Sequence, residues 1–430
     1  MRRLSSLAID FADRFLPRSA VSAPTTLDAL AEEAAAQLTG NILPYWLMHA
    51  RNRARGGFWG EVRADTERRK SGPRGALLTS RILWTFSAAY GRDAEPAYLE
   101  MANAAYDDLM RNFRDAVHGG LFWSIGSGGE TLAPHKQVYG QAFGIYGLSE
   151  YFRVTGEAAA LDEAIALYRL VEAHARDRLR GGYCEALSQD WAAQEGPLPD
   201  GLKGGRTKSQ DAMLHVMEAY SRLYSIWPDP GLRLDLVDLI NDLIERVFDK
   251  QTAHLRMYFD EAWNARSNHF SSGHDIEFSW LLTEAAATIG DTILADRAKS
   301  VSLALAGATL PALDADGGLV FEASPGGIVD PGRQWWSSAE AVVGFLNAYE
   351  LSADLRFRDA ALKAWGFVSR FLIDRRRGEW FGEIDPDGHP KRASPKIGLW
   401  KCPYHNGRAC MEIVDRVRRL GLAQAARVSR

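Results

Sequence analysis

Hydrophobic positions along this chain fall into two alternating kinds of segment. In "GALLTSRILWTFSAAYG", from Gly75, the apolar residues Leu77, Leu78, Ile82, Leu83, Trp84 and Phe86 fill nearly every side of a helical wheel, and Gly91 closes the run. The next segment, "EPAYLEMANAAYDDLMRNF", carries an ordinary amphipathic stripe with acidic residues near its start. The all-round apolar kind recurs as "VYGQAFGIYGLSEYFRVTG", "AMLHVMEAYSRLYSI", "DIEFSWLLTEAAATIG", "SSAEAVVGFLNAYELS" and "GRACMEIVDRVRRLG". A helix apolar on all sides is buried in a large assembly, whereas its striped neighbour faces water. Counting the helix around "TLDALAEEAAAQLTGNILPYWL" as the first outer member, the pattern predicts six helix pairs.

A second periodicity separates the pairs. Short turn-and-strand signatures begin at Arg55 ("RGGFWGEV"), His118 ("HGGLFWSI"), Arg180 ("RGGYCEAL"), Ala253 ("AHLRMYFDE"), Asp316 ("DGGLVFEA") and Arg377 ("RGEWFGEI"), roughly 60 to 75 residues apart. Glycine supplies the positive φ of a tight turn, and the aromatic and β-branched residues after it suit a short strand. The fourth copy lacks the glycines and is the weakest. Six pairs close most naturally as an all-α (α/α)6 barrel, a toroid with inner and outer helix rings and the short hairpins at one end. An open helical solenoid is the competing architecture. No polar capping pair marks either terminus, which favours closure, and no linker or low-complexity stretch interrupts residues 1–430, so a single catalytic domain is expected.

Composition adds exclusions. The chain has 46% hydrophobic and 25% charged residues and a formal net charge of -4, so no basic field advertises nucleic acid or an anionic membrane. The opening "MRRLSSLAIDFADRFLPRSA" interrupts its apolar residues with Asp10, Asp13 and Arg14, which spoils a secretory core. No run reaches the apolar length of a membrane span. With three cysteines in no paired spacing, a reducing, cytoplasmic location is expected, and the protein is expected to act as a monomer.

The segment "LWKCPYHNGRACMEI" sets Cys402, His405 and Cys410 close together. Structural zinc takes four protein ligands and catalytic zinc three from well-separated segments, so the spacing argues against a metal, and none is expected. Other polar residues share one topological position, between a hairpin and an inner helix or in that helix's opening turns: Arg81, His215, His274 and Glu277, Trp335, Trp336 and Glu340, and His405. In a closed toroid these positions converge on one mouth. Arg81 has no Asp or Glu within four positions and needs an anion from elsewhere, either a structural carboxylate or a substrate oxygen. His215 taken alone reads more readily as a hydrogen-bonded core residue than as a catalytic one. His274 follows Gly273 at a helix start, where the dipole disfavours imidazolium while Glu277 at i+3 favours it; such opposed influences suit a general base near neutral pH. The tryptophans are either core or platforms for sugar C–H faces, and Trp400 and Tyr404 beside His405 fit a pocket wall.

"GALLTSRILWTFSAAYG", "KQVYGQAFGIYGLSEYFRVTG", "GHDIEFSWLL", "WWSSAEAVVGFLNAYELS" and "PKIGLWKCPYHNGRACMEI" together resemble the cellobiose 2-epimerase branch of the N-acylglucosamine 2-epimerase superfamily over nearly the whole chain. The resemblance implies an (α/α)6 barrel that epimerises or isomerises aldoses without metal or redox cofactor. It implies His274 and His405 as the acid/base pair, Arg81 at the sugar oxygens, and His215 and Glu277 assisting ring opening and positioning. Trp335, Trp336, Trp400, Glu340, Tyr139 and Asp211 would contact the substrate. Two positions depart from the family pattern: Asp211 stands where Asn is usual and Ser338 where Gln is usual, and both are expected to border the pocket. The aromatic surface exceeds what one pyranose needs, which points to reducing-end glucose and mannose in 4-linked disaccharides. The alternatives are a mannose 2-epimerase or a mannose–fructose isomerase, and, on the same toroid, a hydrolase using Glu277 and Glu340.

Overall fold

The computed structural model describes residues 23–64, 69–70, 72–193 and 207–428; the N-terminal stretch on which the secretion argument rests lies outside them. In chain order the helices are α1 (Leu27–Gln37), α2 (Leu43–His49), α3 (Ala76–Asp93), α4 (Pro96–Asp108), α5 (Val138–Thr155), α6 (Ala158–Leu170), α7 (Gln210–Ile226), α8 (Pro230–Asp242), α9 (Ser272–Ile289), α10 (Thr292–Thr309), α11 (Trp335–Ser352), α12 (Leu355–Phe367) and α13 (Tyr404–Val428). The burial of α3 runs unbroken from Ala76 to Ala89 and that of α5 from Val138 to Tyr151, as the all-round apolar pattern requires. By contrast α6 buries Ala160, Glu163, Ala164, Leu167 and Tyr168, one stripe at helical spacing.

The inner helices α3, α5, α7, α9, α11 and α13 each pack against the next, and α13 returns to α3. Strand pairing closes a second ring. The strand before each inner helix pairs antiparallel with the signature strand of the following repeat: Arg74–Gly75 with Ser124–Ile125, Lys136–Gln137 with Ala186–Leu187, and Lys208–Ser209 with Tyr258–Phe259. Phe270–Ser271 with Glu322–Ser324 and Arg333–Gln334 with Glu383–Ile384 continue the series. Pro395–Ile397 then pairs with Glu61–Arg63, Val62 opposite Ile397, so the last repeat meets the first. Trp46 donates to Glu379 at 2.6 Å and Trp365 to Glu33 at 2.7 Å across the same seam. An open solenoid has no such seam, and the architecture is the all-α toroid.

Three of the signature turns are tied by a buried ion pair to the strand before an inner helix. Asp115 accepts the backbone N–H groups of Val117 and His118 with one oxygen and the ammonium of Lys136 at 2.8 Å with the other. Lys208–Asp177 at 2.9 Å and Lys396–Asp374 at 2.6 Å repeat the pair. The glycine-poor fourth copy makes the same turn with Ala253 at φ +58°, so the geometry persists without the residue that makes it visible. Four outer segments end in a π turn, such as Leu109–Phe113 and Val171–Ala175; in the first the π turn Leu38–Ile42 joins α1 to α2, and the fifth ends instead in the 3-10 turn Leu310–Ala312. No helix among the described residues is long and apolar enough to cross a membrane.

Candidate active site

The starts of the inner helices surround a cavity of about 360 Å³. It brings together Arg81, Tyr139, Asp211, His215, His274, Glu277, Trp335, Trp336, Trp400 and His405, with Phe321 and Gln334 added. Glu340 is the exception. It is fully buried behind His405, accepting from His405 Nδ1 and Arg408 Nη2 with Oε1 and from Trp280 Nε1 with Oε2, so its expected contact with substrate is replaced by contact with the histidine. Ser338 also lies outside the cavity lining, its hydroxyl turned back to the carbonyl of Gln334 at 2.9 Å.

His215 and His405 are wired alike. Each directs Nδ1 to a buried glutamate, His215 to Glu218 at 2.9 Å and His405 to Glu340 at 2.7 Å, which leaves each Nε2 for the cavity side. Their surroundings then push their proton affinities apart. Burial works against a charge on His215, but the carboxylates of Asp211 and Glu218 outweigh it and raise its pKa to about 9. For His405 burial acts in the same direction and is the larger influence; Glu277 opposes it, while Arg81, Arg408 and His215 add to it, and the pKa falls well below the usual imidazole value. Near neutral pH one ring is therefore an acid and the other a base.

Asp211 occupies the second position of α7, and one of its oxygens lies 3.4 Å from Nε2 of His215 and 3.3 Å from Nε2 of His274. Burial favours its protonation, yet the two imidazoles prevail and hold the carboxyl far below its ordinary range. His274 sits in the first turn of α9, where its backbone N–H meets the N-cap oxygen of Ser271 at 3.4 Å. The expected pairing of His274 with Glu277 does not form: Glu277 turns to Arg408 Nη2 at 2.6 Å and approaches His405 Nδ1 at 3.7 Å. The ring of Trp336 lies beside both expected carriers, its centroid 4.8 Å from that of His274 and 5.6 Å from that of His405. A side chain at Gly273 would meet this indole at 2.6 Å.

Arg81 is 2% exposed. Among the described residues no carboxylate lies within ion-pair distance of it. Its Nη2 donates to the Tyr139 hydroxyl at 2.5 Å, its Nη1 reaches Cys402 Sγ at 3.7 Å, and its plane lies 4.1 Å from the ring centre of Phe143. Of the two anions the sequence allowed, the described residues do not supply the structural carboxylate, and the buried cation faces the cavity. Trp335 is nearly buried beside His405, whereas Trp400 is 45% exposed at the rim, near Trp123 and Tyr139.

Cys402 and Cys410 are fully buried free thiols, and burial pushes the Cys410 thiol far up, so neither resembles a metal ligand. A different trio, Glu277, Glu340 and His405, brings its ligand atoms within 4.8 Å of one another. The Arg408 guanidinium already donates to both of these carboxylates, supplying positive charge where a metal would have to sit. Sequence reasoning missed Arg408 and Glu218; Tyr404, expected in the pocket wall, lies outside the cavity lining, its hydroxyl donating to Glu218 and accepting from Arg408. Glu218 repeats at His215 the i+3 spacing noticed at His274, a usable signal; Arg408 was hidden because Glu412, four residues on, offers a local partner that it does not take.

Comparison with known proteins gives the family. Residues 57–407 match the N-acylglucosamine 2-epimerase (GlcNAc 2-epimerase) family, and the chain belongs to it. A cellobiose 2-epimerase of Bacteroides fragilis is 39% identical over 90% of this chain and 99% of its own length, and one of Dictyoglomus turgidum is 35% identical over 91% and 100%. The solved cellobiose 2-epimerase of Spirochaeta thermophila, 38% identical, superposes with a TM-score of 0.86 over 92% of this chain and 100% of that one. A D-mannose isomerase structure at 22% identity and TM-score 0.75 shares the fold.

Proposed function

We propose that this protein is a carbohydrate 2-epimerase that interconverts reducing-end glucose and mannose in cellobiose-like, 4-linked disaccharides. The observation that carries the reading is the pair of histidines, His274 and His405, both beside Trp336 in one cavity, with a buried Arg81 that no carboxylate among the described residues pairs. Inverting C2 requires opening the ring, removing the C2 proton beside the C1 aldehyde, and returning a proton to the other face of the planar enediolate. Charged His215 donates to the ring oxygen as the ring opens. Neutral His405 takes the C2 proton on Nε2, with Glu340 accepting from Nδ1 and stabilising the imidazolium that forms. His274, beside Asp211, serves the opposite face. Arg81 and Tyr139 hold the oxygen on which negative charge develops.

One pyranose reacts beneath Trp336, and the exposed face of Trp400 at the rim receives the second ring. The reaction needs no metal, because Arg408 holds the carboxylates that would bind one. The three free, buried thiols suit a cytoplasmic location. A hydrolytic reading would need Glu277 and Glu340 as acid and base; both are fixed to one guanidinium, and Glu340 does not line the cavity. Incubation with cellobiose in deuterium oxide, followed by NMR, tests the proposal: the expected product is the 4-linked glucosyl-mannose carrying deuterium at C2. Free glucose would indicate hydrolysis, and fructose formed from mannose, with cellobiose inert, would indicate an aldose–ketose isomerase.

A further inference from the structure

Arg408 lies one turn beyond His405 on α13 and is 2% exposed. Its Nη2 donates to Glu277 at 2.6 Å and Glu340 at 2.7 Å, and its Nη1 donates to Glu218 and to the Tyr404 hydroxyl. The guanidinium is further fixed by two rings, with Trp280 at 4.6 Å and Tyr404 at 4.2 Å from its carbon. Glu340 and Glu218 are the Nδ1 partners of His405 and His215, so one side chain touches the partners of both rings while lying outside the sugar cavity itself.

We propose that Arg408 is a positioning residue for both histidine–glutamate dyads: by holding Glu218 and Glu340 from a single guanidinium, it keeps the rings of His215 and His405 turned with Nε2 toward the sugar and couples the charge of one dyad to that of the other. The inference rests on the acid/base roles proposed above, although its geometry does not. A planar fork is needed because a lysine ammonium cannot present two parallel sets of donors to carboxylates on α7, α9 and α11. The charged groups facing His405 are Glu277 from α9, Glu340 from α11, Arg81 from α3, His215 from α7 and Arg408 on its own helix. Removing the Arg408 charge leaves the glutamates to dominate that field, so the ring should keep its proton to higher pH.

Two variants test this. In Arg408→Gln, the His405 titration midpoint, read from histidine side-chain 15N shifts without sugar, should rise by about one pH unit or more. Arg408→Lys keeps the charge and loses the fork; its midpoints should stay close to those of the unaltered protein while kcat for cellobiose falls by about 10²-fold and KM changes little. The NMR readout needs no substrate, so it separates this inference from the choice of sugar and reaction. Unmoved histidine midpoints in a folded Arg408→Gln protein would overturn the proposal. So would an unchanged kcat in Arg408→Lys, which decides the matter alone if the Gln variant does not fold.

Discussion

His215 and His405 face one cavity with the same local bonding and opposite shifts in proton affinity. Each ring gives Nδ1 to a buried glutamate, but Asp211 approaches the first, while Arg81 and Arg408 stand near the second. Identical first partners therefore do not fix protonation; the next charges out do.

The pH dependence of activity follows from this split. The proposed mechanism needs His405 neutral and His215 charged, so kcat/KM should form a plateau bounded by an acid limb below 6.5 and a basic limb near about 9. In His215→Gln the basic limb should disappear. A limb that stays in place belongs to another group.

Stability should carry the same signature. The folded-state pKa of His215 is raised from 6.5 to about 9, so its stabilising contribution is complete below 6.5 and is lost as pH rises through 9. A shift of this size corresponds to about 3 kcal/mol. Urea unfolding at about pH 6 and about pH 9.5 should show the advantage of the unaltered protein over His215→Gln shrinking by that order. An advantage equal at both pH values would mean that the ring is not charged in the fold.

Proton bookkeeping separates the two faces of C2. His274→Ala and His405→Ala should each abolish net epimerisation, while one of them still exchanges the C2 proton of a single epimer with solvent deuterium. NMR of the recovered sugars reads both results. Near-normal epimerisation by either variant removes that histidine from the mechanism.

Arg81→Lys retains a cation without the planar fork. Its kcat should drop by about 10²-fold with KM within about threefold, because the contact matters most when oxygen charge develops. A change confined to KM would assign Arg81 to ground-state binding.

Prolonged dialysis against a strong chelator should leave turnover intact, since the Arg408 guanidinium already donates to Glu277 and Glu340. Loss of activity restored specifically by one divalent ion would place a metal in the trio of Glu277, Glu340 and His405.

Much of this was legible in the chain, for reasons that also mark where legibility stops. The double periodicity and six turn signatures gave the closed toroid, because burial on all sides and a turn that needs positive φ both leave compositional marks. The π turns leave none: one extra residue per turn barely disturbs an apolar stripe, so their recurrence at the ends of outer segments appears only in three dimensions. Arg81 was visible because it lacks a nearby acid, and Arg408 was concealed by Glu412 although it is buried just as deeply. The i+3 spacing of His274 and Glu277 suggested a pair, yet spacing cannot say which way a carboxylate turns. Glu277 faces a guanidinium contributed by the last helix, more than a hundred residues away.

The pairing of Glu61–Arg63 with Pro395–Ile397 has a consequence for how the cavity is completed. The strand that leads into Trp400 and His405 takes its partner from the first repeat, while His405 and Arg408 lie on α13, the inner helix at the closing seam. Glu218, Glu277 and Glu340, from three other inner helices, share their one common cation only through that helix. Closing the ring and finishing the cavity are therefore a single event: the contact that joins the last repeat to the first is also the one that delivers His405 and the guanidinium behind it.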